Sequence, residues 1–168
     1  LSVLDLGANT GEFIMDRLGA SEKLEKLIGI EFDEKSVEYA NAAYGREGKI
    51  SFHRLDLESE SFYDDLRDIM DKCGVGSFNV INLSMTLLHL KSPYRLLKKL
   101  RSVLDGDGTV IVKDIDDGLN LAYPDDEGDF AKAVDICSRE ELAGYRKSER
   151  QIYTLLYRSG FKHVTLER

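Results

Sequence analysis

Apolar and polar positions fall in blocks whose period switches along the chain. Ser2-Val3-Leu4-Asp5-Leu6 is a short apolar run entering the turn Gly7-Ala8-Asn9-Thr10-Gly11, and residues 12–18 follow at helical spacing. The pattern then repeats. Residues 27–31 predict a second strand ending in an acid, and Asp33 is placed to cap a helix through Val37, Tyr39 and Ala40 to a stop at Gly45. Residues 50–56 alternate as a third strand. Ser61 with Asp64 reads as a capping box for a helix reaching residue 72, and residues 78–83 predict a fourth strand. Ser92-Pro93 opens a helix whose apolar stripe is Leu96, Leu97, Leu100 and Leu104. Asp105-Gly106-Asp107-Gly108 reads as a turn before a fifth strand at 109–113. Residues 116–128 are polar and predict a loop, residues 130–136 a short helix. Ser148 then caps a helix presenting Ile152, Leu155 and Leu156 and ending at Gly160, and residues 163–167 predict a sixth strand.

Strands alternating with helices require crossover connections. The expected fold is α/β, a mainly parallel doubly wound sheet with helices on both faces, in one domain over 1–168. The chain opens on a core strand and closes inside a predicted one, so it reads as part of a longer protein, truncated at one or both ends. A net charge of −8 repels a phosphate backbone at long range, which makes nucleic acid an unexpected partner. No apolar run approaches the ~20 residues that cross a bilayer and no leader precedes the first strand, so the expected location is the cytoplasm. Cys73 and Cys137 match no metal-ligand spacing and are expected to be reduced, partly buried thiols.

The first turn carries the candidate chemistry. A strand, a tight glycine turn and a helix N-terminus bring main-chain N–H groups to one point. A dinucleotide-binding turn reads G-x-G-x-x-G, whereas here Gly7 and Gly11 flank Asn9 and residue 12 is Glu. Asp5, immediately before the turn, suits an ammonium ligand rather than a pyrophosphate.

The string LDLGANTG resembles the D-x-G-x-G-x-G motif of class I S-adenosylmethionine-dependent methyltransferases, with Asn9 replacing the middle glycine. Asn is the non-glycine residue that best tolerates a left-handed backbone, so the turn is expected to survive. GIEFD, RLDLE and FNVINLSMTLLHL resemble the family's later landmarks, in order and across nearly the whole chain. The resemblance implies a Rossmann-like fold and S-adenosyl-L-methionine as cofactor. It implies cofactor-binding roles for Asp5, Gly7, Ala8, Asn9 and Gly11, for Glu31 on the ribose hydroxyls, and for Asp56 with Leu57 at the adenine. Asn82 and Ser84, with Met85, would line the methionine end. The family's closing antiparallel strand and its helix before the first strand are not found.

Each residue has a plainer reading. Asp5 could only shape the turn, Glu31 be a strand-end acid, Asp56 a loop acid and Phe32 a core aromatic instead of an adenine platform. Asp33 is read as a helix cap. His89 is the one histidine near the expected methyl-transfer centre and could take a proton from an acceptor; the alternative is a histidine packed on the next helix. His53 and His163 read as strand-surface residues. Asp114, Asp116 and Asp117 could hold a metal, but Ser84 stands where a catechol-type enzyme needs an acid, so they read as a solvated, partly capping loop and no metal is expected. Tyr123 and Arg146, with Tyr145 and Arg150, lie where the family builds its acceptor pocket. Lys98, Lys99 and Arg101 read as a solvated face.

The leading expectation is methyl transfer to a small-molecule acceptor. A protein or RNA acceptor, and a non-catalytic cofactor-binding or interaction module, stand as alternatives; the turn spacing disfavours an NAD or nucleotide-sugar enzyme.

Overall fold

A computed structural model describes residues 1–115, 122–137 and 149–166. The described elements run β1 (Ser2–Leu6), α1 (Glu12–Leu18), β2 (Lys26–Glu31), α2 (Glu34–Tyr44), β3 (Ile50–Arg54), α3 (Phe62–Cys73), β4 (Phe78–Ser84), a 3₁₀ turn (Leu87–His89), α4 (Pro93–Leu100), β5 (Leu104–Lys113), α5 (Asp129–Cys137) and α6 (Glu149–Arg158). Five parallel strands form one sheet in the order β3-β2-β1-β4-β5.

The alternation in β1 explains the two layers. Leu4 and Leu6 point to one face, where they join Phe62, Leu66 and Met70 of α3, Leu96, Leu97 and Leu100 of α4, and Ile152 and Leu156 of α6. Val3 points to the other, against Ile14 and Met15 of α1 and Ala40 of α2. Phe62, Leu66 and Met70 recur every four residues, so α3 is seated by one buried stripe; each such side chain contributes roughly 1.5–3 kcal/mol by leaving water.

The chain reverses its direction of travel across the sheet at β1, which has β2 on one side and β4 on the other. The crevice outside the carboxyl ends of β1 and β4 is where such sheets bind ligands.

Four local expectations are corrected. Leu104 does not extend the α4 stripe; α4 ends at Leu100 and Leu104 begins β5. Residues 105–108 are not a turn before the strand but a bulge within it, because Phe78 pairs with Leu104 while Val80 pairs with Thr109. The turn chemistry is real but local: Asp105 accepts from Asp107 N at 3.2 Å and from Ser77 Oγ at 3.1 Å. Ser61 makes no cap hydrogen bond and its hydroxyl donates instead to Asp65 at 2.8 Å. Residues 161–166 contain no strand: His163 sits at φ 55, which breaks an extended run, although Phe161 and Val164 still pack on the core.

The other caps follow the sequence. Asp33 accepts from Ser36 N at 2.8 Å, and Ser36 holds its carboxyl below the usual range. Pro93 opens α4, but its cap comes from elsewhere: Glu58 Oε1 accepts from Lys91 N at 2.7 Å and Ser92 N at 3.2 Å. Cys73 is a free, half-buried thiol. Among the described residues no helix is long and apolar enough to cross a membrane.

Candidate functional site

The first turn needs three left-handed residues in five, Gly7 at φ 73, Asn9 at φ 49 and Gly11 at φ 76. Two glycines and an asparagine are the residues that accept this. Gly7 N and Ala8 N both donate to Ile30 O, at 2.9 and 3.0 Å, so β1 and β2 jointly shape the loop. Gly11 N closes the turn on Ala8 O at 2.9 Å and Gly11 O starts α1.

Glu31 clasps this turn from β2. Its Oε2 accepts from Asn9 N at 2.8 Å, while Oε1 accepts from Phe32 N at 2.7 Å and Asp33 N at 3.0 Å. A carboxylate offers about four acceptor positions, so three are engaged by backbone and one on Oε2 remains. The carboxylate is therefore already held rigid at the mouth of the crevice.

Beneath the turn, Asp5 is 3% exposed and accepts from Asn82 Nδ2 at 2.6 Å across β1 and β4. Burial pushes the Asp5 carboxyl up to about 6; the Asn82 hydrogen bond opposes the rise and the Glu31 charge adds to it. Two residues beyond Asn82, the Ser84 hydroxyl is buried with no hydrogen-bond partner among the described residues. A buried donor without a protein partner costs stability unless a ligand or water accepts from it, so the Ser84 hydroxyl is available to a polar group entering the crevice.

Two residues hold the crevice together: Thr86, which the sequence reading passed over, and Asp114, which it read as a solvated loop acid and the structure buries. Thr86 Oγ1 lies 2.8 Å from Leu6 O and 3.0 Å from Ser84 O, joining the ends of β1 and β4. It also packs where a Cβ on Gly7 would stand, at 2.5 Å, so Gly7 is required for space as well as for φ. Asp114, buried at the end of β5, accepts from Leu88 N at 3.0 Å and so fixes the 3₁₀ turn. No local signal marks either pairing, since the partners are 80 and 26 residues apart.

The remaining candidates spread along the carboxyl edge. Phe32 is 61% exposed, which removes the core-aromatic reading, and Arg54 Cζ lies 5.7 Å from its ring centre. Asp56 is exposed and its Oδ1 accepts from Glu58 N at 2.9 Å, and Leu57 beside it is half-buried on the core. β3 ends at Arg54, so Asp56 belongs to the following loop. His89 is exposed on the 3₁₀ turn and its imidazole makes no hydrogen bond with any described residue. His53 does lie on a strand, half-buried, whereas His163 does not. Tyr123 is fully exposed. Arg146 and Tyr145 lie outside the described residues, as do Asp116 and Asp117. Among the described residues no group of three His, Cys, Asp or Glu side chains could hold a metal ion.

Comparison with known proteins follows this geometry. A family model described as a methyltransferase domain matches residues 1–160. The curated proteins give no match. An S-adenosylmethionine-dependent methyltransferase from Mesorhizobium loti superposes with TM-score 0.66 at 19% identity, over 95% of this chain and 73% of that one. An S-adenosylmethionine-dependent methyltransferase from Thermotoga maritima, a possible histamine N-methyltransferase, superposes with TM-score 0.62 at 18% identity, over 96% of this chain and 64% of that one. The [4+2]-cyclase SpnF superposes with TM-score 0.51 at 20% identity, over 67% of this chain and 38% of that one. The chain thus spans 38% to 73% of these structures' lengths. At such identities the likeness shows a shared fold, and a fold shared with a cyclase does not set the reaction.

Proposed function

Since the chain belongs to the methyltransferase-domain family, whose model spans residues 1–160, we propose that its carboxyl-edge crevice binds S-adenosylmethionine and directs the methyl group to a small-molecule acceptor. The observation that carries this reading is the buried Asp5 carboxylate under a backbone turn clasped by Glu31. A phosphate would meet two acids there; an ammonium and a ribose diol would meet acceptors.

The residues present fit that cofactor. The unpartnered Ser84 hydroxyl lies at the end of β4, the Gly7 turn leaves backbone N–H groups bare of side chains, and Phe32 holds its ring out from the edge. When bound, S-adenosylmethionine supplies a methyl group already activated by its sulfonium.

The chain's own task is placement. Asp5, ionised above pH 6, answers the ammonium. Gly7, Ala8, Asn9 and Gly11 form the backbone floor, with Asn82 holding Asp5 in its rotamer. With the cofactor bound, Glu31 would offer its remaining Oε2 lone pair to a ribose hydroxyl, Asp56 with Leu57 would face the adenine, and Ser84 would line the methionine end. His89, exposed one turn beyond β4, takes a proton from an acceptor that must lose one, and Tyr123 and Arg146 contribute to the acceptor wall. Holding donor and acceptor in line is the dominant contribution when no nucleophile is required. The possible histamine acceptor of the Thermotoga neighbour and the net charge of −8 both favour a small molecule over nucleic acid.

Calorimetry with S-adenosylhomocysteine tests the reading. Binding to the wild type that weakens at least tenfold in Glu31→Ala supports it. Saturable NAD binding with no heat from S-adenosylhomocysteine would overturn it.

A further inference from the structure

The opposite rim of the sheet carries a second cavity, at the amino ends of β2 and β3, of about 200 Å³. Lys26 reaches it from the start of β2, Arg46 and Lys49 from the α2–β3 connection, and Lys72 from the end of α3; Glu47 is the one carboxylate among its lining residues. None of these four cations is paired with a carboxylate among the described residues. Lys26 is held by donation of its Nζ to Gly48 O, and both it and Lys49 are half-buried. Four cations against one acid is the reverse of the chain's charge of −8. Like charges gathered around one cleft repel, and the repulsion is relieved by an anion between them.

The uncharged groups of the cavity point the same way. Ser51 and Cys73 line it, with Ser51 Oγ 3.7 Å from Cys73 Sγ and 2.9 Å from His53 Nε2 on the same strand. Burial first, and then the charge of Lys72, hold the His53 imidazole below its usual range. In the neutral His53 tautomer protonated at Nδ1, Nε2 accepts the Ser51 hydroxyl proton.

We propose that this cleft binds a compact phosphate-bearing anion, independently of the carboxyl-edge crevice. Ammonium groups, a guanidinium and a hydroxyl converging from three chain segments suit a tetrahedral oxyanion with several terminal oxygens better than a planar carboxylate. The volume falls below the ~300 Å³ at which drug-sized sites begin, and equals roughly six or seven waters at about 30 Å³ each. Binding and protonation are coupled. A dianion draws the Ser51 hydroxyl proton to itself and favours imidazolium, whose Nε2–H then donates to Ser51 Oγ. One proton is taken up and the His53 pKa rises. Lys72 and Cys73 of α3 are the titratable groups that face this pair.

The test follows His53 imidazole resonances by NMR against pH, without additive, with inorganic phosphate, with ribose 5-phosphate, and with sodium chloride at matched ionic strength. Lys49→Gln and Lys72→Gln are measured beside the wild type. Both sites lie at the rim, where such substitutions change stability by about 0.5 kcal/mol or less, so folding is retained. The expected result is a saturable rise in the His53 pKa of about half a unit or more with millimolar phosphate but not chloride, lost in both variants. A response to the inorganic ion alone assigns a free anion, and a stronger response to ribose 5-phosphate assigns a phosphomonoester. No response to either phosphate, or an equal response in both variants, would overturn the proposal. S-adenosylhomocysteine affinity is expected to be unchanged in the two variants.

Discussion

Replacing Asp5 by Asn separates what the carboxylate costs the fold from what it offers a ligand. Asp5 lies at 3% exposure with its pKa raised from 3.8 to about 6. A carboxyl whose folded pKa exceeds its unfolded value holds its proton more tightly in the native state. Its stabilising share is therefore complete below pH 3.8 and falls away as pH rises toward 6. A shift of about two units corresponds to roughly 3 kcal/mol between those limits. Asn at this position cannot ionise, and its carbonyl can still accept from Asn82. Its added N–H₂ contributes a constant offset of either sign. The stability difference, Asp5→Asn minus wild type, should hence grow by about 2.4 kcal/mol between pH 4 and pH 8, whatever that offset is. Urea denaturation at several pH values measures it, and acids not coupled to Asp5 cancel in the difference; Glu31, whose charge raises the Asp5 pKa, is the coupled one. At pH 8 the same variant should bind S-adenosylhomocysteine at least tenfold more weakly, about 1.4 kcal/mol. In the wild type that affinity should fall as pH drops below 6, where Asp5 becomes neutral. A stability difference that is flat with pH would refute the buried-charge reasoning. Unchanged affinity in the variant would refute the ammonium role.

Three further outcomes follow from the same geometry. Gly7→Ala should cost about 2–4 kcal/mol in urea denaturation, from a left-handed backbone and from overlap with Thr86; adding Thr86→Ala should recover the steric part only, as a non-additive cycle. Glu31→Ala should speed amide exchange at Asn9, Phe32 and Asp33 selectively and lower stability by about 1–2 kcal/mol, since the carboxylate is only half-buried. His89→Ala should leave stability within about 0.5 kcal/mol, because the imidazole is exposed and has no hydrogen-bond partner among the described residues, while turnover on an acceptor that must lose a proton drops by about 10²-fold or more.

Local chemistry was legible in the chain. The 2.0 and 3.6 periods, the Asp33 cap, Pro93 and the glycine turn each act over a few residues, and among the described residues each predicted strand and helix is present except the last strand, for which residues 163–166 form no strand. That strand fails at His163, where one left-handed residue interrupts an extended apolar pattern. The bulge at 105–108 was half legible: the Asp-Gly pairs indicate a turn, but only pairing with β4 shows that the strand continues through it.

The sequence by itself determined the element order, the turn with its acids, and through them the family. Those features rest on backbone preferences and spacing, which are written residue by residue. Tertiary structure decided how the acids are used. Glu31 holds the turn through three N–H groups, Asn82 restrains Asp5, Thr86 fills the space of a missing Cβ, and Glu58 caps a helix 33 residues away. The cationic cleft likewise joins β2, β3 and α3. Such pairings arise because crossovers bring distant strand ends to one rim, and no local pattern encodes which side chains then meet.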